Sequence, residues 1–516
     1  MVKNIIVSNR LPIKISKLNN SFEFTTTSGG LATGMKSFHK QNNSLWIGWP
    51  GIGIDEVDKN SWDTLSRSLK KGGFYSVNLN NSEIEDFYFG LPNKCLWPLF
   101  HYFIEYSIFS ESHWESYQSI NRKFAEAVLK NIAPGDTIWI HDYQLMLCPK
   151  MIRDLRPDVK IGFFLHIPFP SFEIFRTFPK REALLEGVLG ADLIGFHTYD
   201  YERHFLSSIK RILRLDVNFN KITLGIREIE VNTFPMGIDY ERYNLAAKKQ
   251  VNQKEIEKSQ LKKQLQRHKK ASRNGKIILS IDRLDYTKGV LSRIKAFEMF
   301  LTKHTEYLEK VRLIMLTVPS RSDVPEYKQL KRDTDEIVGR VNGKFATVNW
   351  TPIWYYYRSM SFEDLIDLYS SADIAMITPI RDGMNLVAKE YVATRIHGDG
   401  VLILSEMAGA SKELFQGLIV NPFDINSMSD AIHQAINMPV EEQKQRNLSM
   451  QKRLSRYNVK RWADDFIKTL NSESQSNDNN SIIKIDSKIS SKISKAYENA
   501  KNRLLLLDYY GTLVEF

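Results

Sequence analysis

Short apolar runs recur along the first half of the chain, at residues 2–7, 137–140, 161–165 and 193–196, each with polar residues at or near its C-terminal end. Unbroken apolar runs of this length mark strands buried on both faces. A helix-like stretch over 144–155 separates the second from the third, and the order strand, helix, strand predicts a parallel sheet with helices on both faces. The second half repeats the design with apolar runs at 277–281, 311–317, 374–377 and 401–404, separated by helical patterns such as 289–303 and 361–371. The pattern therefore predicts an α/β chain of two Rossmann-like domains in tandem, with the boundary near 234–237. No internal sequence repeat accompanies it.

Length agrees with this division, because 516 residues exceed what a single core accommodates. The expected domains are 1–235 and 236–470. Residues 471–480 hold Ser, Asn, Glu, Asp and Gln without a large apolar side chain, so 471–502 reads as a polar linker, and 503–516 as a separate apolar terminus. A hydrophobic share of 42% with 25% charged residues excludes global disorder. Two cysteines, Cys95 and Cys148, are too few for a disulfide framework and lack metal-ligand spacing, which points to a reducing compartment. The N-terminus lacks the apolar core of a signal peptide, and no run approaches the ~18 apolar residues of a membrane span. The expected location is the cytoplasm, with no membrane partner.

The net charge of +11 is concentrated. Residues 248–276 contain eleven Lys/Arg against two acids, leaving an excess of only +2 elsewhere. This segment reads as a solvated helix and linker rather than a polyanion site, so no nucleic-acid partner is expected.

Candidate chemistry gathers where strands end, the crevice side of a parallel sheet. Ser28-Gly29-Gly30-Leu31-Ala32-Thr33-Gly34 is a glycine-rich turn before a helix-like segment, and Gly30 would let backbone N–H groups approach phosphate. Arg10 follows the first strand and offers planar donors for an anion. Arg283-Leu284-Asp285-Tyr286-Thr287-Lys288-Gly289 puts two cations between a strand and a helix, a place to neutralise a diphosphate leaving group. Between another strand and helix, Asp382 would accept sugar hydroxyls, backbone N–H groups of Gly383, Met384, Asn385 and Leu386 would face phosphate, and Glu390 would accept both ribose hydroxyls. Asp142 suits an acceptor hydroxyl and His166 a donor-sugar hydroxyl, while Tyr88 and Trp97 lie in an aromatic-rich stretch able to stack on a sugar.

In order and spacing, Ser8-Asn9-Arg10, Ser28-Gly29-Gly30-Leu31, Leu96-Trp97-Pro98, Trp139-Ile140-His141-Asp142-Tyr143, His166-Ile167-Pro168-Phe169-Pro170, Arg283-Leu284-Asp285-Tyr286, Arg381-Asp382-Gly383-Met384-Asn385-Leu386 and Lys389-Glu390-Tyr391 resemble the trehalose-6-phosphate synthases over roughly residues 2–470. The resemblance implies a GT-B fold: two Rossmann-like domains face across a cleft, and a helix at 457–470, with Trp462, returns to the first domain. It further implies transfer of glucose from UDP-glucose to glucose 6-phosphate with retention, the first step of trehalose synthesis, without metal or other cofactor. On this resemblance Arg10, Tyr88, Trp97, Asp142 and Arg321 form the glucose 6-phosphate site, with Arg10 and Arg321 on its phosphate. Arg283 and Lys288 clamp the diphosphate, Asp382 to Leu386 hold donor sugar and phosphate, Glu390 holds the ribose, His166 touches the donor glucose, and Gly30 lies against the phosphates. These motifs do not decide between UDP-, GDP- and ADP-glucose, and they leave a homo-oligomer open.

Residues 503–513 resemble the opening of a haloacid-dehalogenase-type phosphatase, with Asp508 at the nucleophile position. Tyr510 stands where the family has its second Asp, and the sequence ends four residues after Thr512, so no phosphatase activity is expected. Two other functions share the architecture: a non-catalytic sugar-phosphate-binding regulator and a glucan elongator, which would not need Arg10 and Arg321.

Overall fold

The computed structural model describes residues 3–18, 21–26, 35, 39, 44–251, 259–271, 275–321, 324–472 and 487–500. Gly30 and its turn, most of the 471–502 segment and the motif around Asp508 lie outside the described residues. Residues through Asn471 form one compact unit and those from Ser472 a second. The described part of the second is Ser472 and residues 487–500, with the helix Ser487–Asn499.

The large unit contains two sheets. The first takes β1 (Asn4–Arg10), β4 (Leu45–Trp49), β5 (Phe74–Ser76), β6 (Thr137–His141), β7 (Lys160–Phe164), β8 (Leu193–Phe196), β9 (Val217–Asn218), β10 (Lys221–Leu224) and β11 (Arg227–Thr233), in the order β5-β4-β1-β6-β7-β8-β11-β10-β9. The hairpin of β2 (Ile13–Leu18) and β3 (Ser21–Thr26) stands apart from it. All pairings from β5 to β11 are parallel, and β10 and β9 extend that edge antiparallel. The second sheet is parallel throughout, with β12 (Lys276–Arg283), β13 (Val311–Val318), β14 (Ile353–Tyr357), β15 (Ile374–Ile377), β16 (Val401–Ser405) and β17 (Leu418–Val420) ordered β14-β13-β12-β15-β16-β17. Central strands such as β6 and β16 are buried along their whole length, as their unbroken apolar runs require.

The structure changes one expected element. The helix-like stretch at 144–155 is a 3-10 turn, Tyr143–Leu145, followed by the separate helix Cys148–Arg153. Pro149 in the first turn accounts for the restart, since a ring without an N–H is tolerated there and not further in.

The helix Val459–Asn471 carries Trp462, Phe466 and Leu470 on one stripe and packs this stripe on the first sheet. Phe466 stacks on Trp139 of β6 with centroids 4.5 Å apart, and Trp462 meets Phe164 of β7 at 5.1 Å. The strands receive it at glycines: a Cβ on Gly162 or Gly195 would collide with the Phe466 ring. The indole N–H of Trp462 donates to the Phe234 carbonyl at 3.1 Å. Trp462→Phe removes that donor and leaves a buried carbonyl unpaired, so the midpoint of chemical denaturation should drop by an equivalent of about 1–3 kcal/mol. An unchanged midpoint would show that this bond contributes nothing.

Candidate active site

The C-terminal ends of the two sheets approach each other through aromatic side chains. Trp97, buried at the start of the short helix Trp97–Phe100, lies under two arginines from the second sheet. The guanidinium of Arg321 is 4.2 Å from its ring centroid and that of Arg283 is 5.5 Å away. Arg283 ends β12, and Arg321 follows β13 with a left-handed φ of 47°. Arg321 also donates to the Tyr143 hydroxyl at 3.3 Å and to the Tyr327 hydroxyl at 2.5 Å, and it pairs with Asp285 at 3.5 Å. Tyr143 belongs to the first sheet's crevice and Tyr327 to the helix Pro325–Phe345, so this one cation bridges both halves.

Asp285 is fully buried and accepts from Thr287 N–H at 3.0 Å and from Tyr327 at 2.9 Å. Burial alone would raise its carboxyl, but Arg321, then Arg283 and Lys288, outweigh burial and hold it at about 2. Asp382 behaves alike. Burial opposes its charge, yet Lys288 at 2.6 Å keeps its carboxyl below the usual value, and the Asn385 amide donates to the same oxygen at 3.0 Å. Asn385 has φ of 78° and caps the helix Leu386–Ala393 by accepting from Ala388 N–H at 3.1 Å. Lys288 precedes Gly289, whose left-handed φ of 66° turns the chain into the helix Val290–Lys303.

The loop carrying Asp382 is held against the first sheet. A Cβ on Gly383 would overlap the His166 carbonyl, the Tyr201 hydroxyl donates to the Asp382 carbonyl at 3.2 Å, and Arg381 lies 3.8 Å over Tyr102. Gly383 thus lets two backbones meet where any side chain would separate the sheets. Met384 is buried, and Leu386 packs toward the core that contains Trp462. Glu390, deeper in the helix, accepts from Tyr369 at 2.7 Å, and burial raises its carboxyl.

On the first sheet, Asp142 follows β6 with φ of 76° and accepts the His166 N–H at 3.1 Å. Burial lifts its carboxyl from 3.8 to about 6 against the lowering by that N–H, the Tyr143 N–H, Arg283 and Arg321. His166 shares a 3.0 Å hydrogen bond with His141, and burial depresses its imidazole to about 3, which makes it a neutral hydrogen-bonding group at pH 7. Arg10, exposed at the end of β1, lies 5.4 Å over Trp49, whose ring is 6.0 Å from Tyr88. The Tyr88 carbonyl accepts from the Asn93 amide at 2.5 Å and the Asn93 oxygen accepts from the Tyr143 hydroxyl at 3.0 Å, which ties this outer group to the inner one.

Of the residues that the sequence singles out, Arg321, Arg283, Trp97, Asp142, Lys288, Asp382, His166 and the loop through Leu386 are joined by these contacts, Tyr88 adjoins them through Asn93 and Tyr143, Arg10 lies one step further out on Trp49, and Glu390 lies further along the helix Leu386–Ala393. Sequence reading gave no role to Tyr143, Tyr327, Asp285, His101, Trp49 or Arg293. His101 is buried against Trp97 at 4.2 Å, and burial takes it to about 4. Arg293 is completely buried and holds Asp282 at 2.6 Å, the Thr378 hydroxyl at 3.1 Å and the Lys288 carbonyl at 2.9 Å. A signal for it existed: an arginine on the face that also carries Val290, Ile294 and Phe297 is a charge at a core position. Among the described residues the one trio spaced for a metal is His304 and Glu306, which precede β13 and so lie at the other end of the sheet, with His433 of the helix Ile425–Asn437. Its two imidazoles stack at 7°, which sets their lone pairs side by side rather than convergent.

The model of Glycosyltransferase family 20 matches residues 2–472. The chain belongs to glycosyltransferase family 20. A bifunctional trehalose-6-phosphate synthase/phosphatase of Thermoproteus tenax is 44% identical over 99% of this family 20 chain and 69% of its own length. A UDP-forming alpha,alpha-trehalose-phosphate synthase of Pichia angusta is 41% identical over 91% of this chain and 99% of its own. The structure of a UDP-forming synthase from Burkholderia xenovorans in complex with glucose-6-phosphate superposes with a TM-score of 0.79 at 32% identity, covering 91% of this chain and 99% of that one. The two sheets and the returning helix are the GT-B arrangement of family 20. No helix among the described residues is long and apolar enough to cross a membrane.

Proposed function

We infer that this chain is a retaining glucosyltransferase that moves glucose from UDP-glucose to glucose 6-phosphate, giving trehalose 6-phosphate and UDP. The observation that carries the reading is Arg321, a cation that touches both halves of the groove beside Trp97 and Asp142. Residues 1–235 form the acceptor half and residues 236–470 the donor half. Arg10 and Arg321 hold the acceptor's phosphate, with Tyr88, Trp97 and Asp142 around its sugar. Arg283 and Lys288 take the charge of the departing diphosphate, Asp382 and His166 hold the donor glucose, the backbone of Gly383, Met384, Asn385 and Leu386 lies along the phosphates, and Glu390 receives the ribose. Among the described residues of the groove, Asp382 is locked by Lys288 and Asn385, Asp285 is paired with Arg321, and Asp142 accepts the His166 N–H, so none of the three is presented as a dedicated nucleophile. Catalysis is then positioning plus electrostatic stabilisation of the leaving group, which suits a front-face displacement where the leaving phosphate oxygen takes the acceptor's proton. UDP release measured with glucose 6-phosphate, with a glucan and with neither tests this. Release that depends on glucose 6-phosphate is the expected result. Release that depends on glucan would make the chain an elongator, and no release a regulator.

Asp142 gives a pH dependence. Its folded value of about 6 lies above 3.8, so the fold favours the protonated form: that stabilisation is present below 3.8 and is lost as pH rises through about 6. Accepting a hydroxyl hydrogen needs the ionised form, so kcat/KM for the acceptor should fall as pH drops below about 6. Glucose 6-sulfate, whose ester does not titrate in this range, separates the enzyme's ionisation from that of the acceptor's phosphate. A flat acceptor profile between pH 5 and 7 would remove Asp142 from this role.

A further inference from the structure

The basic segment 248–276 is described over residues 248–251, 259–271 and 275–276. Its helix Gln260–Ala271 packs beside the second sheet by burying Leu265. Several cations of the segment are neutralised locally. Lys262 faces Asp367 at 3.9 Å, Lys269 binds Asp373 at 2.9 Å and Lys276 lies 3.6 Å from the same carboxylate. Arg267 has no carboxylate within ion-pair distance among the described residues.

Arg267 borders an open groove of about 760 Å³ between this helix and the edge strand β14, lined also by Gln264, His268, Arg312, Asn349 and Trp354. Arg312 is 5% exposed. Its guanidinium carbon lies over Trp354, 4.0 Å from the ring centroid, and its Nε donates to the Thr351 carbonyl at 2.8 Å. Its two terminal nitrogens have no partner among the described residues, and no carboxylate compensates its charge there. Burial pulls its ionisation down to about 10, the response of a cation short of a counter-ion. A largely buried arginine without a carboxylate partner is costly unless water or an anion meets its terminal nitrogens. The planar fork is suited to two oxygens of one phosphate. Volume in this range matches a small organic ligand, and the cations sit in one concavity rather than along the extended stripe a nucleic acid would need.

We propose that the groove between the helix Gln260–Ala271 and β14 is a second anion site that takes a small phosphate ester or diphosphate, with Arg312 gripping the phosphate and Arg267 closing over it. The site is at the opposite end of β13 from the acceptor groove, because Arg312 lies at the strand's start and Arg321 beyond its end. Inorganic pyrophosphate is the probe, titrated calorimetrically into the chain with UDP present to fill the donor cleft. The expected result is a binding event that survives Arg321→Met and weakens at least about tenfold in Arg312→Met and in Arg267→Met. Arg267 is exposed, so its variant keeps the test decisive if Arg312→Met folds poorly, and both variants should turn over at the wild-type rate. Repeating the titration with a nucleoside monophosphate and a hexose phosphate tells which organic part the groove accepts. Equal pyrophosphate binding by wild type, Arg312→Met and Arg267→Met would overturn the proposal. So would a mixed-sequence oligonucleotide that binds more tightly than pyrophosphate and depends on Arg267.

Discussion

Replacing Lys288 with alanine is expected to lower turnover by about a hundredfold or more and to destabilise the fold as well. Removing one preorganised charge from a developing anion costs about 2–4 kcal/mol of transition-state stabilisation. Lys288 has a second task, because its ammonium neutralises Asp382 at 2.6 Å and both side chains are mostly buried. Deleting one partner of a buried pair costs about 3–5 kcal/mol, since the other charge is left uncompensated. Arg283→Ala makes the contrast: that side chain is exposed at the end of β12, so its loss should reduce turnover comparably and leave thermal stability unchanged. Steady-state UDP release at saturating substrates, together with thermal unfolding, separates the two effects. Wild-type turnover in either variant would refute the diphosphate clamp.

Arg321→Met should act on the acceptor. Truncating one partner of a buried, hydrogen-bonded charge pair costs about 2–5 kcal/mol, so kcat/KM for glucose 6-phosphate should fall by about thirtyfold to several thousandfold. With unphosphorylated glucose as acceptor, the slow wild-type rate should be matched by the variant. Arg321→Lys should recover little, because one ammonium cannot reach Tyr143, Tyr327 and Asp285 while also meeting a phosphate in a plane. The same substitution has a pH signature. Asp285 is depressed to about 2, so its favourable contribution to stability is present above 3.8 and is lost as pH falls through about 2. Without Arg321 burial dominates, the carboxyl rises, and the variant should lose stability at a higher pH than the wild type. An unchanged acid-unfolding midpoint, or an equal fall in rate with free glucose, would count against this role.

The central strands were legible because they are buried on both faces, and the runs at 193–196 and 374–377 coincide with β8 and β15. Strands outside that regime escaped. β11 alternates charged and apolar residues, β5 has only three residues, and β14 is an aromatic edge strand whose half-buried side chains read as a core helix or a strand equally well. Site residues at strand ends, such as Arg283 and Asp142, could be found because a parallel sheet fixes where its crevice opens. Tyr327 could not, because it reaches the groove from within a helix and only tertiary packing brings it to Asp285; His101 meets Trp97 one helical turn away, but nothing local says that this turn faces the groove. The sequence likewise placed Lys288 and Asp382 in separate binding tasks, while in the folded chain they form one ion pair.

The polypeptide passes between the two sheets twice, and the passages run side by side. Val459 N–H donates to the Ile238 carbonyl at 3.1 Å, the indole of Trp462 reaches Phe234, and Gly237 lies so close to the Asn458 backbone that a methyl group would not fit between them. Two adjacent tethers act like the knuckles of a door hinge: they leave one easy rotation, about an axis at the seam, and resist sliding or twisting. Admission of the nucleotide sugar and escape of the disaccharide phosphate are therefore expected to share a single swinging motion, in which the mouth far from the seam gapes while the residues beside it hardly move.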